Sequence, residues 1–305
     1  MEAIAEQAGF ERSAHDAYRE RRTPRDPTWL ADIRRGGLKR LAQIGFPTVH
    51  DEDWKYTNVA PILKVPFVEG RRETPWRAPH PGPLSPGEGI QFVFINGRFA
   101  PDLSSRGHRA DGPDVASLAE VLATRPEWAE PHLARIARKG NGFASLNEAF
   151  LDDGAFVRIP AKTAVAEPIQ LVFLSEPDFG PTVSHPRNLV IAEAGSEAAI
   201  VETYIGTAGE LYFTNSVTEV HLADGAILDL YKLERESTAA FHVATMEVRQ
   251  GRDSRFRSHS ISLGGALVRN DLNVRLDAEG ADCTLNGLFV GSGTQHLDNH
   301  TLIDH

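Results

Sequence analysis

"VRNDLNVRL", residues 268–276, sets Val268, Leu272, Val274 and Leu276 on one alternation and Arg269, Asp271, Asn273 and Arg275 on the other. That is the period of a β-strand with one face buried and one wet. Asn270 breaks the pattern by standing on the apolar face. Outward from this strand the texture holds from about Leu151: short runs rich in Val, Ile, Leu, Phe and Thr alternate with Gly and Asp turns. Glycines 195, 225, 251 and 280 each open a new strand-like segment: "GSEAAIVETY", "GAILDLYKLE", "GRDSRFRSHSIS" and "GADCTLNGLFV". Their separations of 30, 26 and 29 residues lie in the range of solenoid repeats. A unit of this size cannot bury its inner face alone and must stack on its neighbours. A parallel β-helix is therefore expected over 151–305. A β-sandwich, which also suits short strands at regular spacing, stays open as the alternative.

Residues 1–150 read differently, as a mostly helical region with one hairpin. In "WLADIRRGGLKRLAQIGFP" (29–47), Leu30, Ile33, Leu38, Leu41 and Ile44 recur at helical spacing, and Gly45 and Pro47 supply a stop. Gly36–Gly37 argues against a helix in the middle of that run. "RRETPWRAPHPGPLSPGEG" (71–89) is dense in Pro and Gly and reads as a surface loop. In "IQFVFINGRFAPDLS" (90–104), Asn96–Gly97 between apolar runs signals a hairpin. "DVASLAEVLATRPEWAEPHLARIARKG" (114–140) returns to helical periodicity, broken at Pro126 and Pro131.

The bulk numbers set aside several classes. With 32 basic and 42 acidic residues the net charge is −10, which disfavours non-specific attraction to nucleic acid or an anionic membrane. The single cysteine, Cys283, excludes an internal disulfide framework and CxxC zinc sites. "MEAIAEQAGFERSAHDAYRERR" has no apolar core of a secretory signal, and no apolar run reaches bilayer length. A soluble, cytosolic protein is expected.

Candidate chemistry concentrates at "DNHTLIDH" (298–305). On a strand, His296, Asp298, His300 and Asp304 share one face, and Leu297 and Ile303 the other. Imidazole and carboxylate on one face suit Fe, Zn or Mn, whereas a solvated polar face is the plainer reading. A compact metal site needs a partner from a neighbouring coil, because the strand rises about 3.3 Å per residue. Cys283 shares a face with Leu285 and Phe289, the setting of a buried small hydrophobe, with sulfur or iron contact as the alternative. "YRERRTPR" (18–25) reads as a solvated helix end, with phosphate or acidic-partner binding as the alternative. "GSGTQH" (291–296) lacks the lysine and following helix of a phosphate loop. There is no GxSxG elbow and no HExxH helix, and Asp152–Asp153 sits at a turn, where Asp serves the backbone. No self-sufficient catalytic constellation stands out.

Several stretches together resemble the SufD family of the SUF iron–sulfur cluster assembly scaffold. "DEDWKYTN" (51–58) resembles its N-terminal signature and "FVFINGRFAPDLS" (92–104) its hairpin. "SLNEAFLDDGAFVRIP" (145–160) and "PIQLVF" (168–173) resemble its entry into the β-domain. "HPRNLVIAEAGSEAAIVETY" (185–204), "LVRNDLNVRLDAEGADCTLNGLF" (267–289) and "DNHTLIDH" resemble successive coils. The sister subunit SufB shares the coils but has a different N-terminal region, so "DEDWKYTN" favours SufD. The resemblance implies a helical region followed by a right-handed parallel β-helix. It implies pairing with SufB through the β-helices and with the SufC ATPase through a C-terminal helical segment. It further implies sulfur received from a cysteine desulfurase, a nascent Fe–S cluster and reduced flavin in the complex, and no cofactor held firmly by this chain. Against that family the chain is expected to be truncated at its C-terminal end, with the interface histidine and the SufC-docking segment beyond it. His296, His300 and Cys283 are the residues carried forward as iron or sulfur contacts of a subunit without turnover. The alternatives are a secreted-type β-helix polysaccharide lyase or hydrolase, and a self-associating β-helix without cofactor.

Overall fold

The structure, a computed structural model, describes residues 27–70, 89–106, 112–136, 141–177 and 180–305. The basic cluster at 18–25 and nearly all of the Pro/Gly-rich run at 71–89 fall outside those residues. In chain order the elements are helices α1 (Thr28–Ile44) and α2 (Ala60–Leu63), then strands β1 (Val68–Glu69), β2 (Gln91–Ile95), β3 (Arg98–Phe99) and β4 (Asp114–Ser117). Helices α3 (Leu118–Thr124), α4 (Pro126–Ala129) and α5 (Gly142–Ala149) follow. The remainder is strand: β5 (Ala155–Ile159), β6 (Ile169–Ser175), β7 (Thr182–Ser184), β8 (Arg187–Ala192), β9 (Glu197–Gly206) and β10 (Tyr212–Leu222). Then come β11 (Ile227–Arg235), β12 (Phe241–Gln250), β13 (Arg255–Ser262), β14 (Leu267–Leu276), β15 (Asp282–Phe289) and β16 (His296–Asp304).

From β5 onward the strands alternate between two sheets, with β7 and β8 both in the first, giving a β-solenoid of about five turns. One sheet runs β4-β5-β8-β10-β12-β14-β16 and the other β3-β2-β6-β9-β11-β13-β15. Every solenoid pairing from β5 and β6 to β16 is parallel, which sets the antiparallel sandwich aside. The register stacks like on like: Val157, Val190, Val220, Val248, Val274 and Ile303 are successive partners across the first sheet. Burying each of the five valines stabilises the fold by about 1.5–3 kcal/mol, whereas Ile303 on the last described coil stays exposed. Strands that precede residue 151 join the same sheets, β2 parallel to β6 and β4 antiparallel to β5.

The turns explain the irregular glycine spacing. Gly195, Gly225 and Gly280 have φ of 66°, 68° and 73°, the left-handed region that favours glycine. On the coil between them the left-handed residue is Asp253, φ 54°, and not Gly251. Asp is among the few side chains that tolerate this conformation, so the turn survives without its glycine.

The N-terminal elements cover the outer face of the first sheet. Leu41, Phe46, Trp54, Val59, Ile62, Phe143 and Leu146 pack with Val183, Phe213, Phe241, Val243 and Leu267 in one apolar cluster. Gly37, the second of the glycine pair in α1, serves that packing. A Cβ on Gly37 would lie 2.7 Å from both the Ala149 nitrogen and the Ser145 oxygen, so glycine lets α1 close on α5. Side-chain caps start the short helices: Ser117 accepts from the Glu120 N–H at 3.3 Å and Asn141 from that of Phe143 at 2.8 Å. The expected hairpin is present, with Asn96 and Gly97 at φ 50° and 77° between β2 and β3. The helical run read at 114–140 is shorter than its periodicity implied. It opens as strand β4, whose backbone pairs with β5, and turns helical only at Leu118.

Candidate functional site

Two columns of inward side chains fill the solenoid. Ala198 and Ile200 of β9, Leu228 and Leu230 of β11 and Phe256 of β13 meet Val220, Val248 and Val274 of the facing sheet in the main core. Farther along the same strands the inward positions turn polar: Glu202, Lys232, Ser258 and Ser260 face Ser216, Thr218 and Asn270 around a cavity of about 220 Å³. Neighbouring rungs differ in chemistry, since Glu202 pairs in register with Lys232, which pairs with Ser260.

These groups form one buried network. Glu202 accepts from Thr218 Oγ1 at 3.2 Å and from Tyr204 Oη at 3.3 Å. Burial pushes its carboxyl up despite Lys232 and those hydrogen bonds. The Lys232 ammonium donates to Asn270 Oδ1 and lies 3.1 Å from His242 Nε2 and 2.7 Å from Glu234 Oε1. Glu234 Oε2 accepts from Ser262 Oγ and, at 3.0 Å, from Asn270 Nδ2. Burial works to raise the Glu234 carboxyl, but the charges of Lys232 and His242 and the hydrogen bonds outweigh it and hold the group at about 2. His242 Nδ1 lies 2.9 Å from Glu236 Oε2, and Glu236 Oε1 accepts from Thr214 Oγ1 at 3.3 Å. Tyr204 stacks on Phe173 at 4.7 Å and meets the His242 ring edge-on at 4.8 Å, closing the network on one side. Among the described residues, Glu234, Glu236 and His242 are the group of His, Cys, Asp or Glu whose ligand atoms all lie within 4.8 Å of one another.

The residues singled out in the sequence lie elsewhere. His296, Asp298 and His300 do share one face of β16, turned toward the N-terminal region. His296 Nε2 is 2.9 Å from Thr57 Oγ1, and Asp298 accepts from both Thr57 and Arg269. Burial acts upward on the Asp298 carboxyl, and those two hydrogen bonds outweigh it and hold the group low. His300 stands 3.9 Å from Asp53 and from Asp271. Asp304 is drawn away, 3.7 Å from Arg275. Arg269 joins the two stretches: its guanidinium lies 4.4 Å over the Trp54 ring and donates to the Asp53 carbonyl at 2.9 Å. Thus "DEDWKYTN" docks on β14 and β16. Cys283 points into the apolar column in register with Phe256, and burial, with Asp282 nearby, pushes its thiol up to about 11.

Of the residues in the lumenal network, the sequence flagged Asn270 alone. Its signal was a polar residue on an apolar face. Lys232 and Glu234 gave no such signal, because the apolar Leu233 between them points outward and inverts the apparent faces.

Comparison with known proteins completes the description. Residues 88–171 match the SufBD protein N-terminal region, and residues 173–305 match the SufBD core domain of SUF system FeS cluster assembly. An iron–sulfur cluster assembly SufBD family protein of Synechocystis is 30% identical over 283 residues, covering 90% of this chain and 62% of that protein. The iron–sulfur cluster assembly protein SufD of Escherichia coli is 24% identical over 270 residues, covering 88% and 61% respectively. The chloroplastic protein ABCI7 of Arabidopsis thaliana is 32% identical over 290 residues, covering 90% and 59%. The chain therefore spans about six-tenths of the length of these relatives. None of its described helices is long and apolar enough to cross a membrane.

Proposed function

The chain belongs to the SufBD family of iron–sulfur cluster assembly proteins, and from that membership we propose that it is a SufD-like scaffold subunit. In this reading it pairs with SufB through its β-helix and works with the SufC ATPase in the cytoplasm, without turnover of its own. The observation that carries the reading is the unbroken order of the two family regions along residues 88–305, on a solenoid whose N-terminal motif docks on its last described coil. A SufD named among the relatives supports the choice of branch. Family membership favours this reading over the polysaccharide-enzyme alternative.

Iron, sulfide and the nascent cluster are cargo in this proposal, and reduced flavin belongs to the complex. His296 and His300 are its outward iron contacts, with His300 lying between the carboxylates of Asp53 and Asp271. Cys283, facing the core, is the less accessible sulfur contact. The test is anaerobic cluster reconstitution with cysteine desulfurase, cysteine, Fe(II), SufB and SufC, with and without this chain. The proposal expects faster or fuller cluster build-up when the chain is present; an unchanged yield contradicts it. Alanine at both His296 and His300 is expected to lower iron retained by the isolated chain, and unchanged retention removes those two residues from the reading.

A further inference from the structure

We propose that Glu234, Glu236 and His242 form a lumenal site for a divalent first-row transition cation, for which the Lys232 ammonium is a built-in stand-in. The inference rests on side-chain geometry and goes beyond the family reading, standing whether or not the chain handles iron for assembly.

The donor set is the first argument. One imidazole nitrogen and one oxygen from each of two carboxylates suit Fe(II), Zn(II), Mn(II) or Co(II). Two carboxylates and a neutral imidazole also balance a double positive charge. Such ions take nitrogen and oxygen donors at about 2.0–2.2 Å, which sets the donors roughly 3–4 Å apart. Here Glu234 Oε1 lies 3.2 Å from His242 Nε2, and the three donors all fall within 4.8 Å of one another. The carboxylates of Glu234 and Glu236 approach opposite ring nitrogens of His242, at 3.2 and 2.9 Å, so closure on one ion requires one carboxylate to swing round the ring.

The second argument is what these atoms lack. Glu234 Oε1, Glu236 Oε2 and His242 Nδ1 are buried and make no hydrogen bond of proper geometry, although Glu236 Oε2 faces His242 Nδ1 and Glu234 Oε1 faces His242 Nε2. Their side chains are at most 1% exposed. Buried polar atoms in native proteins nearly always have hydrogen-bond partners; Glu236 Oε2 and His242 Nδ1 have none, and the one partner of Glu234 Oε1 is the Lys232 ammonium, 2.7 Å away.

Lys232 supplies the third. Its ammonium sits among Glu234 Oε1, His242 Nε2 and Asn270 Oδ1, three acceptors around one cation. A lysine side chain is flexible, and both Lys232 and Glu202 line the adjoining cavity of about 220 Å³. That cavity gives the ammonium a place to go and the carboxylate of Glu202 as its next partner. Lys232 stands between this space and the ligands, so its withdrawal is what would open the entry path that a buried metal site requires.

The experiment uses the chain with His296→Ala and His300→Ala, so that the outward histidines contribute nothing. Co(II) is titrated anaerobically, with visible absorption reporting the ligand field and calorimetry the stoichiometry. The expected result is one saturable Co(II) per chain. Affinity should rise at least tenfold in Lys232→Met, where the competing ammonium is gone, and fall at least tenfold in Glu236→Gln. Lys232→Met should also melt lower than its parent without metal and recover with Co(II). If Glu236→Gln does not give a cooperative melt, His242→Gln provides the same comparison. Absence of saturable Co(II) in both the parent and Lys232→Met overturns the proposal. Binding left unchanged by Glu236→Gln, or no tighter in Lys232→Met, overturns it too.

Discussion

The two columns inside the β-helix solve the same packing problem in opposite ways. Along the apolar column Val157, Val190, Val220, Val248, Val274 and Ile303 repeat one shape from rung to rung. Along the polar column Phe173, Tyr204, Glu234, Ser262 and Phe289 occupy successive rungs of one register position, and the side chain changes at every step. A solenoid needs the first kind of column to stand, because stacking identical apolar side chains buries the inner face of each turn. It does not need the second. Buried charges cost several kcal/mol each in desolvation and give little net stability, so a network built of them reflects a demand other than folding.

Substitutions in the two columns should separate these roles. The largest loss is expected for Phe256→Ala, fully buried in the apolar column, at about 3–5 kcal/mol in denaturant unfolding. Lys232→Ala should cost a similar amount, about 3–5 kcal/mol, for a different reason: Glu234 is left as an uncompensated buried charge. The comparison breaks if Lys232→Met combined with Glu234→Gln is as damaging as Lys232→Ala. Removing both charges together is expected to restore most of the loss, whereas no second substitution rescues Phe256→Ala.

The pH dependence of the polar column carries two opposite signs. Glu234 is held at about 2 in the folded chain, below its ordinary value of 4.5, so its contribution is present above 4.5 and is lost as pH falls toward 2. Glu202 is raised, so the folded chain binds its proton more readily, and stability falls as pH climbs above the ordinary carboxylate value. Glu234→Gln should therefore destabilise at pH 7, and its deficit should shrink on acidification to pH 3. Glu202→Gln should be neutral or stabilising at pH 7. Equal effects of the two substitutions across that range would erase the distinction.

A smaller effect is expected at the seam outside the solenoid. Thr57→Val removes a hydroxyl shared by His296 and Asp298, at a cost of about 1–2 kcal/mol. The smallest concerns Cys283. With its thiol pushed up to about 11, iodoacetamide at pH 8 should alkylate it far more slowly than a free thiol, and at the free rate only after unfolding.

The apolar column was legible in the sequence because alternation in "VRNDLNVRL" and repeated turn glycines both report a stacked strand. One turn was misplaced because Asp253 takes the left-handed position that composition assigns to glycine. Asn270 announced the polar column, being the one polar group framed by apolar neighbours on its own face. The rest of that column stayed hidden because outward-pointing neighbours are themselves apolar, as Val201 is before Glu202 and Leu233 before Glu234. "DEDWKYTN" was recognisable by resemblance. Its docking on β16 was not legible, since Thr57 and Asp298 meet across 241 residues and no local pattern encodes such a contact.

The central claim, that this chain is an assembly subunit whose β-helix carries a partner surface, is tested most directly by anaerobic co-expression and co-purification with SufB and SufC. The account predicts that the 305-residue chain elutes with SufB in a stoichiometric complex. A chain that folds, as judged by its cooperative melt, yet elutes apart from both proteins would contradict it.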